Sequence, residues 1–509
     1  MADKHTRFAI VGSGFAGSLL AWILAKSGYA VTVLERQRHP RFSIGESSTP
    51  LADFLIEQIC MEFDLPELLP LARWGTWQAS YPTIRCGKKR GFSYFQHRPY
   101  ESFIDSANHP SSLLVAASSD DSTSDTHWLR SDVDSWLASK ARSVGAEIVE
   151  SCAIRSLDRD NLKWRLNAEI DGEVHTFECD FLIDASSNGQ VLATYLQLKQ
   201  LDWQLQTRTE ALFGHFESVQ PMSDWLQKNQ GSVADDPFCC DDAAQHHMLE
   251  CGWIWMLRFQ HGITSVGIVR PTDQWPEQLH ADDRGRIWDA LISNYPTLRE
   301  LTQKSVLVQP QVQGRPQLGW TGRMSRLWSS AAGEGWAMLP GTVGFIDPLH
   351  STGIAHGLFG VLTLARILQA TSLNTETQWA ELQSYSESVV RQIKWIDRLV
   401  SLAYAAQEKS FELFTGACAL YFLAAIHCER DYAMHRQLPD GFLLCDSNNF
   451  QTLANQLNGR LKCLRNAMDN STDVFDTMVW LRERLKLWND VGLLEPSRKN
   501  RIARSAAAK

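Results

Sequence analysis

Three glycines near the N-terminus, Gly12-x-Gly14-x-x-Gly17, are the first residues of this chain whose types and spacing could do chemistry. The spacing alone recurs by chance, but its setting is specific. The glycines split the uncharged run from Phe8 to Ala25 into a short strand, a tight turn and a helix opened by Phe15 and Ala16. A second apolar strand, Ala30 to Leu34, then ends at Glu35, about twenty residues downstream. In such a βαβ unit Gly12 makes the turn, Gly14 lets the backbone approach a pyrophosphate, and Gly17 allows close helix–strand packing. The helix start offers unpaired N–H groups and the positive end of its dipole to a diphosphate. Glu35, beside Arg36, accepts from a ribose hydroxyl. Broken by glycines in this way, the run is neither a membrane span nor a signal peptide.

The identity of the dinucleotide is set further along. A loop after Glu35 carries Gly45-Glu46-Ser47 up to a new helical pattern near Leu51. Much later, Gly344-Phe-Ile-Asp347-Pro348-Leu-His350-Ser351-Thr352-Gly353-Ile354 places an aspartate after an apolar strand and a Ser-Thr-Gly turn at the start of a helix. That aspartate can hold ribityl hydroxyls, and the helix dipole can stabilise negative charge on a reduced ring, so FAD is the expected cofactor. Between them, alternation from Trp253 to Phe259 sets Trp253, Trp255, Leu257 and Phe259 on one strand face, with Arg258 on the other. A turn at Gln260-His-Gly262 and a strand from Ile263 to Val269 complete a hairpin. The aromatic face either packs beneath a helix or forms a wall that shields the flavin or stacks a planar substrate.

Taken in order, with Leu129-Arg130-x-x-Val-Asp134 and Phe181-Leu-Ile-Asp184-Ala-Ser added, these motifs resemble the FAD-dependent halogenases and the aromatic monooxygenases of the same superfamily. The likeness covers most of the chain, and the C-terminal portion looks most like that of halogenases acting on free phenols. The resemblance implies that Glu46, Ser47 and Arg130 lie beside the flavin chain and Asp347 near its ribityl or pyrophosphate part. Ser351, Thr352, Gly353 and Ile354 would lie near the isoalloxazine ring, where halogenases also bind halide. Three departures stand out. Halogenases carry a lysine between flavin and substrate, about thirty residues after the Gly-Glu motif; this chain has no lysine between Lys26 and Lys88. Ungapped spacing puts Thr76 at that tunnel position, and the Arg-rich setting of Lys88 and Lys89 reads as a solvated tip. The signature Trp-x-Trp-x-Ile-Pro becomes Trp253-Ile-Trp255-Met-Leu257-Arg258, and the glutamate that follows Asp-Pro-Leu in tryptophan halogenases is His350.

Without that lysine, the expected reaction is hydroxylation of a phenol- or indole-like ring by reduced flavin and dioxygen. The candidate bases are His350 and His356, which flank the Ser-Thr-Gly turn, with His97 behind them. Halogenation with the lysine's work done elsewhere is one alternative. The other is an FAD-binding protein with reductase, cofactor-maturation or scaffold duty and no oxygen transfer. No nicotinamide signature accompanies the single fingerprint, so a separate flavin reductase is expected, and the aromatic substrate could be free, carrier-bound or peptide-bound.

The elements that must position these residues describe an α/β chain. A Rossmann-type FAD-binding domain is assembled from residues 1–75, 126–195 and 320–372. An inserted mixed β-sheet substrate domain takes 76–125 and 196–319, and a helical C-terminal region takes 373–509. Within these, 105–125 reads as a mobile loop, 220–245 as a polar lid and 496–509 as a frayed basic tail. A net charge of -9 argues against binding a nucleic-acid backbone. Eleven cysteines without metal-type spacing indicate a reduced, cytoplasmic protein with no metal, and the apolar segment Thr415 to Ile426 is too short to cross a membrane. Nineteen tryptophans point to large flat surfaces that must be packed or recognised.

Overall fold

The computed structural model describes residues 4–160, 162–373, 375–464 and 471–505. Its first sheet is centred on Lys4–Val11, where Phe8, Ala9 and Ile10 are fully buried. Such uninterrupted apolar runs fit a parallel strand covered on both faces. Parallel neighbours run in the order Trp336–Met338, Glu173–Asp184, Lys4–Val11, Val31–Leu34 and Glu147–Val149. An antiparallel extension, Cys152–Asp160 and Lys163–Ile170, grows from the early half of Glu173–Asp184. The helices Phe15–Lys26, Arg130–Ser143 and Gly353–Ala370 pack together beside this sheet.

The second sheet is mixed and has nine strands, in the order Val306–Gln309, Thr209–Glu217, Ile263–Pro271, Trp253–Arg258, Ala244–Met248, Gly91–Gln96, Ser112–Ala116 and Arg501–Ile502. Gly319–Arg323 also pairs with Thr209–Glu217, so a boundary at residue 320 cuts a strand of this sheet. A short antiparallel ribbon, Cys86–Lys89 with Asp125–Trp128, stands apart from both sheets. Helices Glu376–Gln407, Phe411–His435, Asn448–Cys463 and Ser471–Leu485 form the C-terminal layer. Gly353–Ala370 and Phe411–His435 are long and apolar enough to cross a bilayer, and each buries most of that apolar stretch inside the fold.

Three polar segments are more ordered than their composition suggests. Ser112–Ala116, inside the stretch expected to be mobile, is a fully buried strand. The expected lid contains the helix Met222–Lys228, drawn onto the sheet by buried Met222, Trp225 and Phe238. The tail is not frayed through residue 505: Arg501–Ile502 pairs with the sheet edge, and Ser505 donates from both its N–H and its hydroxyl to the Ala116 carbonyl. Residues 506–509 lie outside the described residues. The Arg501 guanidinium meets Asp236 at 2.5 Å, His109 Nδ1 at 2.8 Å and Ser112 Oγ at 2.8 Å. It thereby closes a His109–Asp235–Asp236 cluster whose ligand atoms are near enough together to hold a cation.

Candidate functional site

The glycine turn is built as its spacing implies. Gly12 has φ +97°, and a Cβ there would stand 2.8 Å from the Ala185 carbonyl oxygen; one on Gly17 would stand 2.2 Å from the Gly12 oxygen. Glu35 accepts from the Ser13 N–H at 2.8 Å, the Ser13 hydroxyl at 2.9 Å and the Gln37 N–H at 2.9 Å. Burial would raise its pKa, but the Arg41 guanidinium and these donors hold it below the usual carboxylate value. Arg36 is exposed, and Arg41, which the motif reading passed over, is the arginine inside the cleft, 3.6 Å from Glu35 and 3.5 Å from Asp134. Arg130 forks onto Asp134 at 2.8 and 3.0 Å, donates to the carbonyls of Ile44 and Gly45, and lies 5.0 Å from the centre of the Phe15 ring. Two guanidinium groups thus flank the bare backbone at Gly14. Arg41 Nε, His39 Nδ1 and Ser47 Oγ are buried there without partners. Unpaired polar atoms around a cationic helix start fit a bound diphosphate.

Two carboxylates expected to face the cofactor are committed to the protein instead. Glu46 Oε1 pairs with His215 Nε2 at 2.7 Å, both side chains being almost inaccessible, and this ties the Gly45–Ser47 loop to the second sheet. Asp347 accepts from the Leu349 N–H at 2.9 Å, the Thr209 hydroxyl at 2.6 Å and the Tyr404 hydroxyl at 2.9 Å. Burial pushes its pKa up to about 6. It shapes the turn that follows it rather than offering a free carboxylate to a ribityl chain.

That turn carries the reactive-looking groups. Ser351 takes a left-handed conformation, φ +53°, and donates its N–H to the Pro348 carbonyl. Thr352 then precedes the helix Gly353–Ala370. A Cβ on Gly353 would meet nothing closer than the Phe345 ring at 3.9 Å, so the space beside Gly353 and Ile354 is open to a close neighbour. His350 is buried, lies flat on Tyr421 with ring centres 4.1 Å apart, and leaves both ring nitrogens without partners. Burial lowers its pKa to about 3, so the ring is neutral. His356 differs: its Nε2 bonds Gln392 at 2.9 Å and its ring packs against Phe442, so it joins two helices. His97 is likewise paired, with His247 at 2.8 Å.

The larger correction concerns the lysines. Lys88 and Lys89 are not a solvated tip but the end of the ribbon strand Cys86–Lys89. Lys88 pairs with Asp121 and Asp242, while Lys89 is completely buried. Lys89 Nζ donates to the Ser48 carbonyl at 2.5 Å and sits 4.1 Å from the centre of the Phe92 ring. Around it aromatic side chains pack into a buried cluster. Phe92 meets Phe422 edge-on at 5.3 Å, Tyr94 stacks on His246 at 4.5 Å, and His246 packs on Trp253 at 4.8 Å. His246 Nε2 bonds the Leu349 carbonyl, joining the cluster to the turn before His350. The Tyr94 hydroxyl is buried without a partner. Thr76 is elsewhere: its exposed hydroxyl bonds the carbonyls of Pro70 and Arg73, and it lines an outer groove with Cys60, Met61 and Arg436. The lysine signal was present in the sequence, at Lys89-Arg90-Gly91 ahead of Phe92-Ser93, and an ungapped count missed it.

The two tryptophans part company. Trp253 Nε1 donates to the Tyr404 hydroxyl at 2.7 Å beside the aromatic cluster. Trp255 lies flat on Gly267, where a Cβ would be 2.2 Å from its ring, and continues through Phe213 to Phe42 on the dinucleotide loop. Arg258 faces Asp241 at 2.8 Å and the carbonyls of Val219 and Gln220 rather than open solvent.

Comparison with known proteins agrees with this layout. Residues 10–53 match a family described as "NAD(P)-binding Rossmann-like domain", and residues 126–424 match one described as "Tryptophan halogenase". Tetracycline 7-halogenase of Kitasatospora aureofaciens is 25% identical over 409 residues, covering 79% of this chain and 70% of the relative. Monodechloroaminopyrrolnitrin halogenase PrnC of Pseudomonas fluorescens is 25% identical over 378 residues, 72% of this chain and 62% of the relative. The crystal structure of halogenase PltM in complex with phloroglucinol and FAD shares the fold at a TM-score of 0.82 and 22% identity, covering 97% of this chain and 99% of that one.

Proposed function

The chain belongs to the tryptophan halogenase family, and from that premise we propose that it is an FAD-dependent halogenase of an electron-rich aromatic ring. The observation that carries this reading is Lys89, a buried ammonium with one side on the Ser48 carbonyl and the other facing the aromatic cluster around Phe92. The loop Gly45–Ser48 separates Lys89 from the dinucleotide cleft, since Arg130 holds Gly45 from one side and Lys89 holds Ser48 from the other. Hydroxylation, the reaction expected when no such lysine is counted, loses its premise.

FAD would be held by the turn at Gly12, Gly14 and Gly17 and by Arg41, Arg130 and Ser47; reduced, it supplies the two electrons with which dioxygen oxidises halide to an electrophilic halogen. The protein's own residues do the rest. The Lys89 ammonium donates a hydrogen bond to the electrophile and fixes it beside the aromatic cluster. His350, too weak a base to take a proton but with a free lone pair, accepts a hydrogen bond from a ring hydroxyl or N–H, which raises electron density at the carbon attacked. Phe92, Tyr94, Trp253 and Phe422 exclude water that would quench the electrophile. The substrate class is phenolic or indolic, and reduced flavin comes from a separate reductase. The reading places the enzyme in a reducing compartment, where its free cysteines persist.

The test is an assay with purified protein, FAD, a flavin reductase, NADH, oxygen and bromide or chloride, offered phenols and indoles and followed by mass spectrometry. Halogenated product that disappears in Lys89→Met supports the reading. Hydroxylated product without halogen, or halogenation that survives Lys89→Met, overturns it.

A further inference from the structure

We propose that Asp125 is a positioning residue that keeps Lys89 protonated and aimed at the aromatic cluster around Phe92, an inference that rests on the reading above. Lys89 and Asp125 are direct partners across the antiparallel ribbon, and both are completely buried. Residues directly opposite each other in such a ladder share one face, with Cβ atoms about 5 Å apart. The acceptor of Lys89 is fixed to the same strand. Ser48 donates its N–H and hydroxyl to the Thr126 carbonyl at 3.1 and 2.9 Å, and its hydroxyl accepts from the Thr126 N–H at 3.2 Å. One residue thus anchors the carbonyl that Lys89 grips, and its neighbour carries the opposing charge.

The histidines facing this spot carry no charge. His127 on the same strand and His246 on Ala244–Met248 are pushed down to about 3, by burial first with the Lys89 charge adding to it, so both are neutral. His350 is neutral for the same reason. Tyr421 is held far above its usual value by burial and by the carboxylates of Glu429 and Asp125, which places Asp125 toward the aromatic cluster as well. Asp121 and Asp242 are engaged by Lys88. Glu429, and Asp53 in the first turn of the helix that follows Ser48, are the other buried carboxylates that the test must separate from Asp125. A buried ammonium without a counter-charge sheds its proton at lower pH.

The experiment follows the alkaline limb of kcat and, independently of activity, the titration of Lys89 Nζ by NMR of protein carrying 13Cε-lysine, assigned with Lys89→Met. In Asp125→Asn both are expected to move down by about 1–3 pH units, with kcat recovering at acid pH; Asp125→Glu restores them. Asp121→Asn, which releases Lys88 instead, leaves them in place. An unmoved limb and titration in Asp125→Asn, or the same downward shift from Asp53→Asn or Glu429→Gln alone, overturns the inference. Should Lys89→Met itself still halogenate, the functional reading fails instead, so the two failures are distinct.

Discussion

Asp347→Asn should stabilise this protein, although it alters a fully buried carboxylate that accepts three hydrogen bonds. The pKa of Asp347 in the fold is about 6, against 3.8 for an ordinary aspartate, and burial is the main cause. The native state therefore holds this proton more tightly than the unfolded chain. Between about pH 4 and pH 6 the folded protein binds more protons than the unfolded one, so stability falls as pH rises through that window and stays lower above it. A rise of about two units, at about 1.4 kcal/mol each, makes the ionised form cost about 3 kcal/mol at pH 7.5. Asparagine keeps the carbonyl that accepts from the Leu349 N–H, while the hydroxyls of Thr209 and Tyr404 turn to accept from its amide. Urea unfolding at pH 5.0 and pH 7.5 measures the effect. The variant should gain up to about 3 kcal/mol at pH 7.5 and little at pH 5.0. A loss of more than about 1 kcal/mol at both pH values would refute the argument, because it would mean that the charged hydrogen bonds outweigh desolvation.

Other substitutions probe the remaining parts. Gly17→Ala places a methyl group 2.2 Å from the Gly12 oxygen and should weaken FAD binding at least about tenfold, read by flavin fluorescence; unchanged affinity would remove the turn from the cofactor site. His350→Phe keeps the stack on Tyr421 but removes the free ring nitrogens, so kcat should fall about tenfold while the melting temperature holds; an unchanged kcat would leave the reaction without this hydrogen bond. Arg501→Met strands Asp236 and Asp105 beside His109 and should cost about 3–5 kcal/mol of stability in urea unfolding, whereas a loss below about 1 kcal/mol would return the tail to a loosely held end.

What the sequence disclosed and what it hid divide along a physical line. Local motifs were readable because their geometry is written in adjacent residues. The fingerprint at Gly12, Gly14 and Gly17 needs a positive φ and close packing, and the hairpin from Trp253 needs only alternation and a turn. Groups whose roles depend on partners far along the chain were not. Glu46 and Asp347 have the residue type and setting of cofactor ligands, yet one oxygen of Glu46 is taken by His215 and both of Asp347 by Leu349, Thr209 and Tyr404. Lys89 was misjudged through its charged neighbours. Alternation across the ribbon sends Lys88 to its carboxylates and buries Lys89, a difference that composition cannot express. The tail was misjudged likewise, since a basic terminus reads as frayed until the acidic partners of Arg501 are seen beneath it.

The loop from Gly45 to Ser48 explains how one rigid fold could keep an oxidising cofactor and an aromatic substrate apart while letting a small electrophile pass. Arg130 holds the carbonyls of Ile44 and Gly45, His215 holds the Glu46 carboxylate, the Trp128 N–H holds the Glu46 carbonyl, and Thr126 holds Ser48. These anchors come from the first sheet's helix, the second sheet and the ribbon, so a shift of the loop breaks bonds to at least one of them. Lys89 grips the last carbonyl of this fixed segment. Its ammonium is therefore located by the same loop that bounds the cofactor cleft, and its distance from the cofactor is set by packing rather than by the reach of a flexible side chain. A lysine on a solvated tip could not hold an electrophile in register with one ring carbon. A lysine locked between the ribbon and the loop can, and regioselectivity is then set by the packing that fixes it.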